Sequence, residues 1–110
     1  MNIKFTARRF RPHPDVKQHA LDEVRKLGKF YDGIVTANVI LSYERATNSV
    51  KTAEVNLHVY GTVLSATERS DDFFKSIDRV IQKQVVKLNK YKSRLHAKDK
   101  GKVRAIKGQP

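Results

Sequence analysis

A chain of 110 residues with 23 Lys/Arg against 11 Asp/Glu, a formal charge of +12, is long enough for one domain around a single core and too short for two. It has no cysteine, which excludes a disulfide framework and a thiolate metal site and agrees with a reducing compartment. The opening MNIKFTARRF has no apolar run behind its charges, and the longest aliphatic run, Val39-Ile40-Leu41, is far short of a membrane span; the chain reads as a soluble, cytoplasmic protein without a signal peptide.

Ile3 and Phe5 alternate with Asn2, Lys4 and Thr6, a short strand pattern. The run RRFRPHPD then breaks the chain. Pro14 suits the first turn of a helix, where its missing N–H costs nothing, and Asp15 favours the positive end of the helix dipole. Val16, Ala20, Val24, Leu27 and Tyr31 give that helix one apolar face, and Asp32-Gly33 closes it. From Ile34 the period changes to two. Val35, Ala37, Val39, Leu41 and Tyr43 share one face of a long strand, and RATNS at 45–49 is a polar turn. Ala53, Val55, Leu57 and Val59 mark the next strand, Gly61-Thr62 a tight turn, and VLSAT a third strand of an antiparallel meander.

At SDDFF the period returns to 3.6. Ser70 or Asp71 can cap a helix whose core face is Phe74, Ile77, Ile81, Val85 and Leu88, reaching as far as Leu95. Residues 96–110 have no period and little apolar content, and read as a flexible basic tail behind a domain of residues 1–95. The order β-α-β-β-β-α predicts an α+β fold, a four-stranded sheet with two helices on one face.

The charge is segregated. Residues 1–74 hold 11 Lys/Arg and 9 Asp/Glu; residues 75–110 hold 12 against Asp78 and Asp99 alone. A solubilising surface would intersperse the signs, whereas segregation points to a polyanion. With Lys83 set at zero on a helical projection, Lys87, Lys90 and Arg94 fall within about 40° of it, and Arg79 and Lys75 extend the stripe to about −40° and −80°. Lys83-Lys87 and Lys90-Arg94 are like-charge i,i+4 pairs, each costing a few tenths of a kcal/mol that a polyanion would relieve. Val86 alone interrupts the arc. The first helix adds Lys17, Arg25, Lys26 and Lys29 off its apolar face, and side-by-side helices would merge these cations into one basic surface.

The element order, together with Asp72-Phe73-Phe74, Ile77-Asp78, Lys83, Leu88, Lys90, Lys92 and Arg94, and the first-helix ending Lys26-Leu27 before Phe30-Tyr31-Asp32, resembles the ribosome hibernation promoting factor family over roughly residues 1–95. The resemblance implies a double-stranded-RNA-binding-domain-like fold. It implies binding to ribosomal RNA of the small ribosomal subunit and the whole ribosome, in the channel used by mRNA and by A- and P-site tRNA. Translation would be blocked and idle ribosomes stabilised under stress or in stationary phase. By position it assigns rRNA contacts to Lys26, Lys83, Lys90, Lys92 and Arg94; helix geometry adds Arg25, Lys75, Arg79 and Lys87. The chain departs from the family at Val85-Val86, where a polar pair is usual.

An enzyme is not expected. His13, His19, His58 and His96 fall on a loop, a helix, a strand and the tail, and no glycine-rich phosphate loop, nucleophile motif or metal-spaced His/Asp/Glu cluster is legible. Asp71-Asp72 reads as a helix cap rather than a metal site. The expectation is a monomer with no cofactor, metal, small-molecule substrate or membrane partner. The alternative is a general duplex-RNA-binding module without ribosome specificity, since basic helix faces serve both uses.

Overall fold

The computed structural model describes residues 1–44 and 50–106, and for 96–106 the course of the backbone alone. The elements are β1 (Asn2–Arg8), α1 (Pro14–Phe30), β2 (Thr36–Glu44), β3 (Val50–Val59), β4 (Thr62–Ser70) and α2 (Phe73–Ile106). The turn expected at 45–49 and the last four residues of the expected tail lie outside the described residues.

The four strands form one sheet in the order β1-β2-β3-β4, with β1 parallel to β2 and the rest antiparallel. Parallel neighbours need a crossover, and α1 supplies it. His13 caps α1, its Nδ1 accepting the Asp15 N–H at 3.1 Å; Pro14 follows, as the fixed proline φ favours. The helix ends where Tyr31 turns extended, with its N–H still donating to the Leu27 carbonyl at 2.9 Å. Between β3 and β4, Gly61 takes φ 83°, the left-handed value that the second turn position requires.

Alternation does the sorting. Ala37, Val39 and Leu41 of β2 and Ala53, Val55, Leu57 and Val59 of β3 turn inward and are buried with Val16, Ala20, Val24 and Leu27 of α1. The opposite sheet face pairs Thr36 with His58, Asn38 with Asn56, Ile40 with Glu54 and Ser42 with Thr52, a mostly polar face that needs no cover. α2 packs on β3 and β4, and α1 lies beside it.

The core face of α2 differs from its expected phase. Phe73, not Phe74, is the buried phenylalanine (7 % against 39 % exposed), and Val80, Gln84 and Tyr91 join Ile77, Ile81 and Leu88, while Val85 is only partly buried. Phe73 is held by Phe10, stacked at 4.9 Å, and Phe74 turns toward α1 against the His19 ring. The cap is Asp72, whose Oδ1 accepts the Phe74 N–H at 3.0 Å, rather than Ser70 or Asp71. Ser70 serves behind it, donating to the Asp72 carbonyl at 2.6 Å. Gln84 is fully buried because its amide nitrogen donates to the carbonyls of Val55 (2.6 Å) and Leu64 (2.9 Å), pinning the helix across β3 and β4. Leu88 below it is also fully enclosed, a burial that contributes about 1.5–3 kcal/mol. Past Leu95, where the apolar period ends, the helix backbone continues to Ile106. No helix among the described residues is long and apolar enough to cross a membrane.

Candidate nucleic-acid interface

Turning Phe73 and Gln84 into the core aims the opposite side of α2 outward, past the edge strand β4. Lys83, Val86, Lys87, Lys90, Tyr91 and Arg94 form one wall of a groove of about 660 Å³ whose other wall is β4 from Thr62 to Thr67. Val59 and Thr62 flank the two-residue turn, so in alternating antiparallel pairing Val63, Ser65, Thr67 and Arg69 direct their backbone groups away from β3, toward solvent. The groove floor is therefore an unpaired strand edge, flanked by the exposed side chains of Val63 and Val86.

The cations above it are not equivalent. Lys83 reaches down to the strand, its Nζ 2.8 Å from Glu68 Oε2 and donating to the Thr67 carbonyl at 3.2 Å. It neutralises a carboxylate and occupies one edge carbonyl, a device that also protects the strand edge. Lys75 sits 3.5 Å from Asp71 at the helix start. Arg79, Lys87, Lys90 and Arg94 have no acidic or hydrogen-bonding partner among the described residues. Lys87, Lys90 and Arg94 follow one another at about one turn along the helix, with Arg79 about two turns before Lys87; together they form a row suited to successive phosphates.

The other sequence-predicted positions lie elsewhere. Lys92 is on the α1 side of the helix, its Nζ 4.6 Å above the Phe30 ring and donating to the Phe30 carbonyl at 3.4 Å, where it tends the C-terminal end of α1. Arg25 pairs with Asp22 at 3.0 Å and Lys26 with Glu23, both on α1. The hydrogen bond that Lys26 donates to the Glu23 carboxylate, then the charge of that carboxylate, raises the Lys26 pKa, with smaller contributions from Asp22 and Asp78. So the helices do lie side by side, but the structure gathers Lys83, Lys87, Lys90 and Arg94 in one groove, continues the row through Arg79, and leaves Arg25, Lys26 and Lys92 apart from it. Sequence reasoning missed the β4 wall and Glu68. Glu68 was legible only as an acid two residues before the expected cap, and its partner lies fifteen residues further on.

Chemically, such a groove suits a polyanion: it offers a row of cations, outward-facing backbone groups and two small apolar contacts, in an α+β fold. The chain belongs to the family described as sigma 54 modulation protein / S30EA ribosomal protein, whose model matches residues 3–96. It is 28 % identical over 95 residues to a ribosome hibernation promoting factor of Klebsiella oxytoca, covering 86 % of this chain and 97 % of that protein. It is 25 % identical over 85 residues to a ribosome hibernation promotion factor of Staphylococcus aureus (strain COL), covering 77 % of this chain but 45 % of the longer relative. Among solved structures the fold resembles a ribosomal subunit interface protein from Coxiella burnetii (TM-score 0.76, 22 % identity, 84 % of this chain and 99 % of that one). It also resembles the Protein Y N-terminal domain of Thermus thermophilus (TM-score 0.71, 22 % identity, 83 % and 99 %).

Proposed function

We propose that this protein is a ribosome hibernation factor, a binding protein and not an enzyme, that docks on ribosomal RNA through the outer row of α2. Family membership supports a ribosome-associated role in regulating translation. The observation that carries the mode of docking is the row Arg79, Lys87, Lys90 and Arg94, unneutralised among the described residues. Each cation that meets a phosphate releases condensed counterions, so binding is driven by charge and weakened by salt. The finer picture follows the resemblance. In the cytoplasm, under stress or in stationary phase, a double-stranded-RNA-binding-domain-like body sits on the small subunit in the mRNA and tRNA channel, across the A and P sites, and excludes both ligands by its bulk.

Lys83 joins the grip only by giving up Glu68, and Lys75 only by giving up Asp71; Arg25, Lys26 and Lys92 contribute weakly. Sucrose-gradient sedimentation of purified ribosomes with the full chain tests this. The expected result is co-migration with small subunits and whole ribosomes that long duplex RNA competes away poorly. Efficient competition by duplex RNA would instead identify a general duplex binder, and migration with the large subunit alone would overturn the reading.

A further inference from the structure

At the seam between the helices, away from the groove, the basic face gives way to a compact set of metal-ligating atoms. His19 and Glu23 stand one turn apart on α1, and Asp78 meets them from α2. One donor atom from each lies within 4.8 Å of the other two, and His19 Nε2 is 2.7 Å from Asp78 Oδ1. The imidazole is fixed by Phe74, whose ring centroid is 5.2 Å away at 58°. Glu23 is largely sheltered and Asp78 half exposed (side chains 17 % and 51 %), which leaves one side open to water.

We propose that His19, Glu23 and Asp78 are the protein ligands of a single divalent transition-metal ion, Zn2+ foremost, which ties α1 to α2. Donors around Zn2+ at 2.0–2.2 Å lie about 3.3 Å apart in tetrahedral geometry, so Nε2 and Oδ1, now 2.7 Å apart, part by roughly 0.6 Å, while donors standing as far as 4.8 Å from one another draw closer by side-chain rotation. One imidazole with two carboxylates suits Zn2+, Co2+ or Ni2+; Mg2+ and Ca2+ prefer oxygen-only shells. Water completes the shell on the Asp78 side.

A second observation points the same way: a cation already stands at this cluster. The Lys26 ammonium rests on the Glu23 carboxylate. A dication bound to the three donors takes that place and displaces Lys26 from Glu23. Lys26 is therefore a competitor of the metal, and its removal must tighten binding. Metal held adventitiously by a surface histidine would not show this dependence.

Titration calorimetry of the metal-stripped full chain with zinc chloride tests the site. The expected result is one Zn2+ per chain at micromolar metal. Affinity should fall about tenfold or more in His19→Ala and Glu23→Gln, stay unchanged when His13, His58 and His96 are all replaced by alanine, and rise severalfold in Lys26→Gln. No binding to the wild type, or binding indifferent to His19 and Glu23, overturns the proposal. Should a variant fail to fold, Co2+ added to the unaltered chain decides by NMR. Paramagnetic broadening centred on residues 19, 23 and 78 supports the site, and broadening centred on His13, His58 or His96 refutes it. Neither readout depends on ribosomes, so the proposal stands or falls apart from the docking reading.

Discussion

The two helices carry similar-looking positive charge and use it differently. On α1, Arg25 and Lys26 each follow an acid by three residues, and both ion pairs close within the helix. On α2 between Phe73 and Leu95 the only acid is Asp78, and it faces His19 on α1 rather than the cations of its own outer side. A cation that already has a carboxylate gains little from a phosphate, because it must first lose what it has; a cation with none gains the whole interaction. What separates a basic surface from a grip is thus the placement of the acids.

That contrast can be broken by reversing charge on each helix in turn. The largest effect is expected for Lys87→Glu, Lys90→Glu and Arg94→Glu combined: ribosome affinity should drop by at least about a hundredfold, since three phosphate contacts become repulsions, with an unchanged circular dichroism spectrum. Next comes Gln84→Ala, read in chemical denaturation. Loss of two buried hydrogen bonds and the side-chain volume should lower stability by roughly 2–4 kcal/mol and, by loosening α2 from β4, weaken ribosome binding as well. Lys83→Gln should cost no more than about 1 kcal/mol of stability, as a part-exposed ion pair does, and should reduce ribosome affinity severalfold at most. The smallest effect belongs to α1: Arg25→Gln with Lys26→Gln should shift ribosome affinity by less than about threefold, because these cations are already neutralised. A loss there as large as in the α2 triple variant would erase the distinction between the helices.

Much of this was legible in the residues. The alternation through Ala37, Val39 and Leu41 and again through Ala53, Val55 and Leu57 fixes the inward sheet face, and the four-residue spacing of Val16, Ala20 and Val24 fixes that of α1. The α2 phase was harder for a physical reason. Phe73 and Phe74 are adjacent and equally apolar, and only Phe10, arriving from the β1–α1 connection, decides which is buried. Gln84 looks like a surface residue until two strand carbonyls come within reach of its amide. Lys92 reads as part of a Lys-x-Lys-x-Arg run, yet it projects at about 180° from Lys83 on an ideal helix and packs on α1, as its position on that projection would place it. Long-range pairs such as Lys83 with Glu68 and His19 with Asp78 have no local pattern, because the fold and not the spacing makes them neighbours.

The salt dependence of ribosome affinity tests the central claim most directly, because its slope counts the phosphates neutralised. With four unneutralised cations among the described side chains of α2, the wild-type log–log slope should be roughly −3 to −4. Neutralising Lys87 and Lys90 with glutamine should bring it to about half that, and neutralising Arg25 and Lys26 should leave it where it was. A slope that follows the α1 pair and ignores the α2 pair would contradict the account.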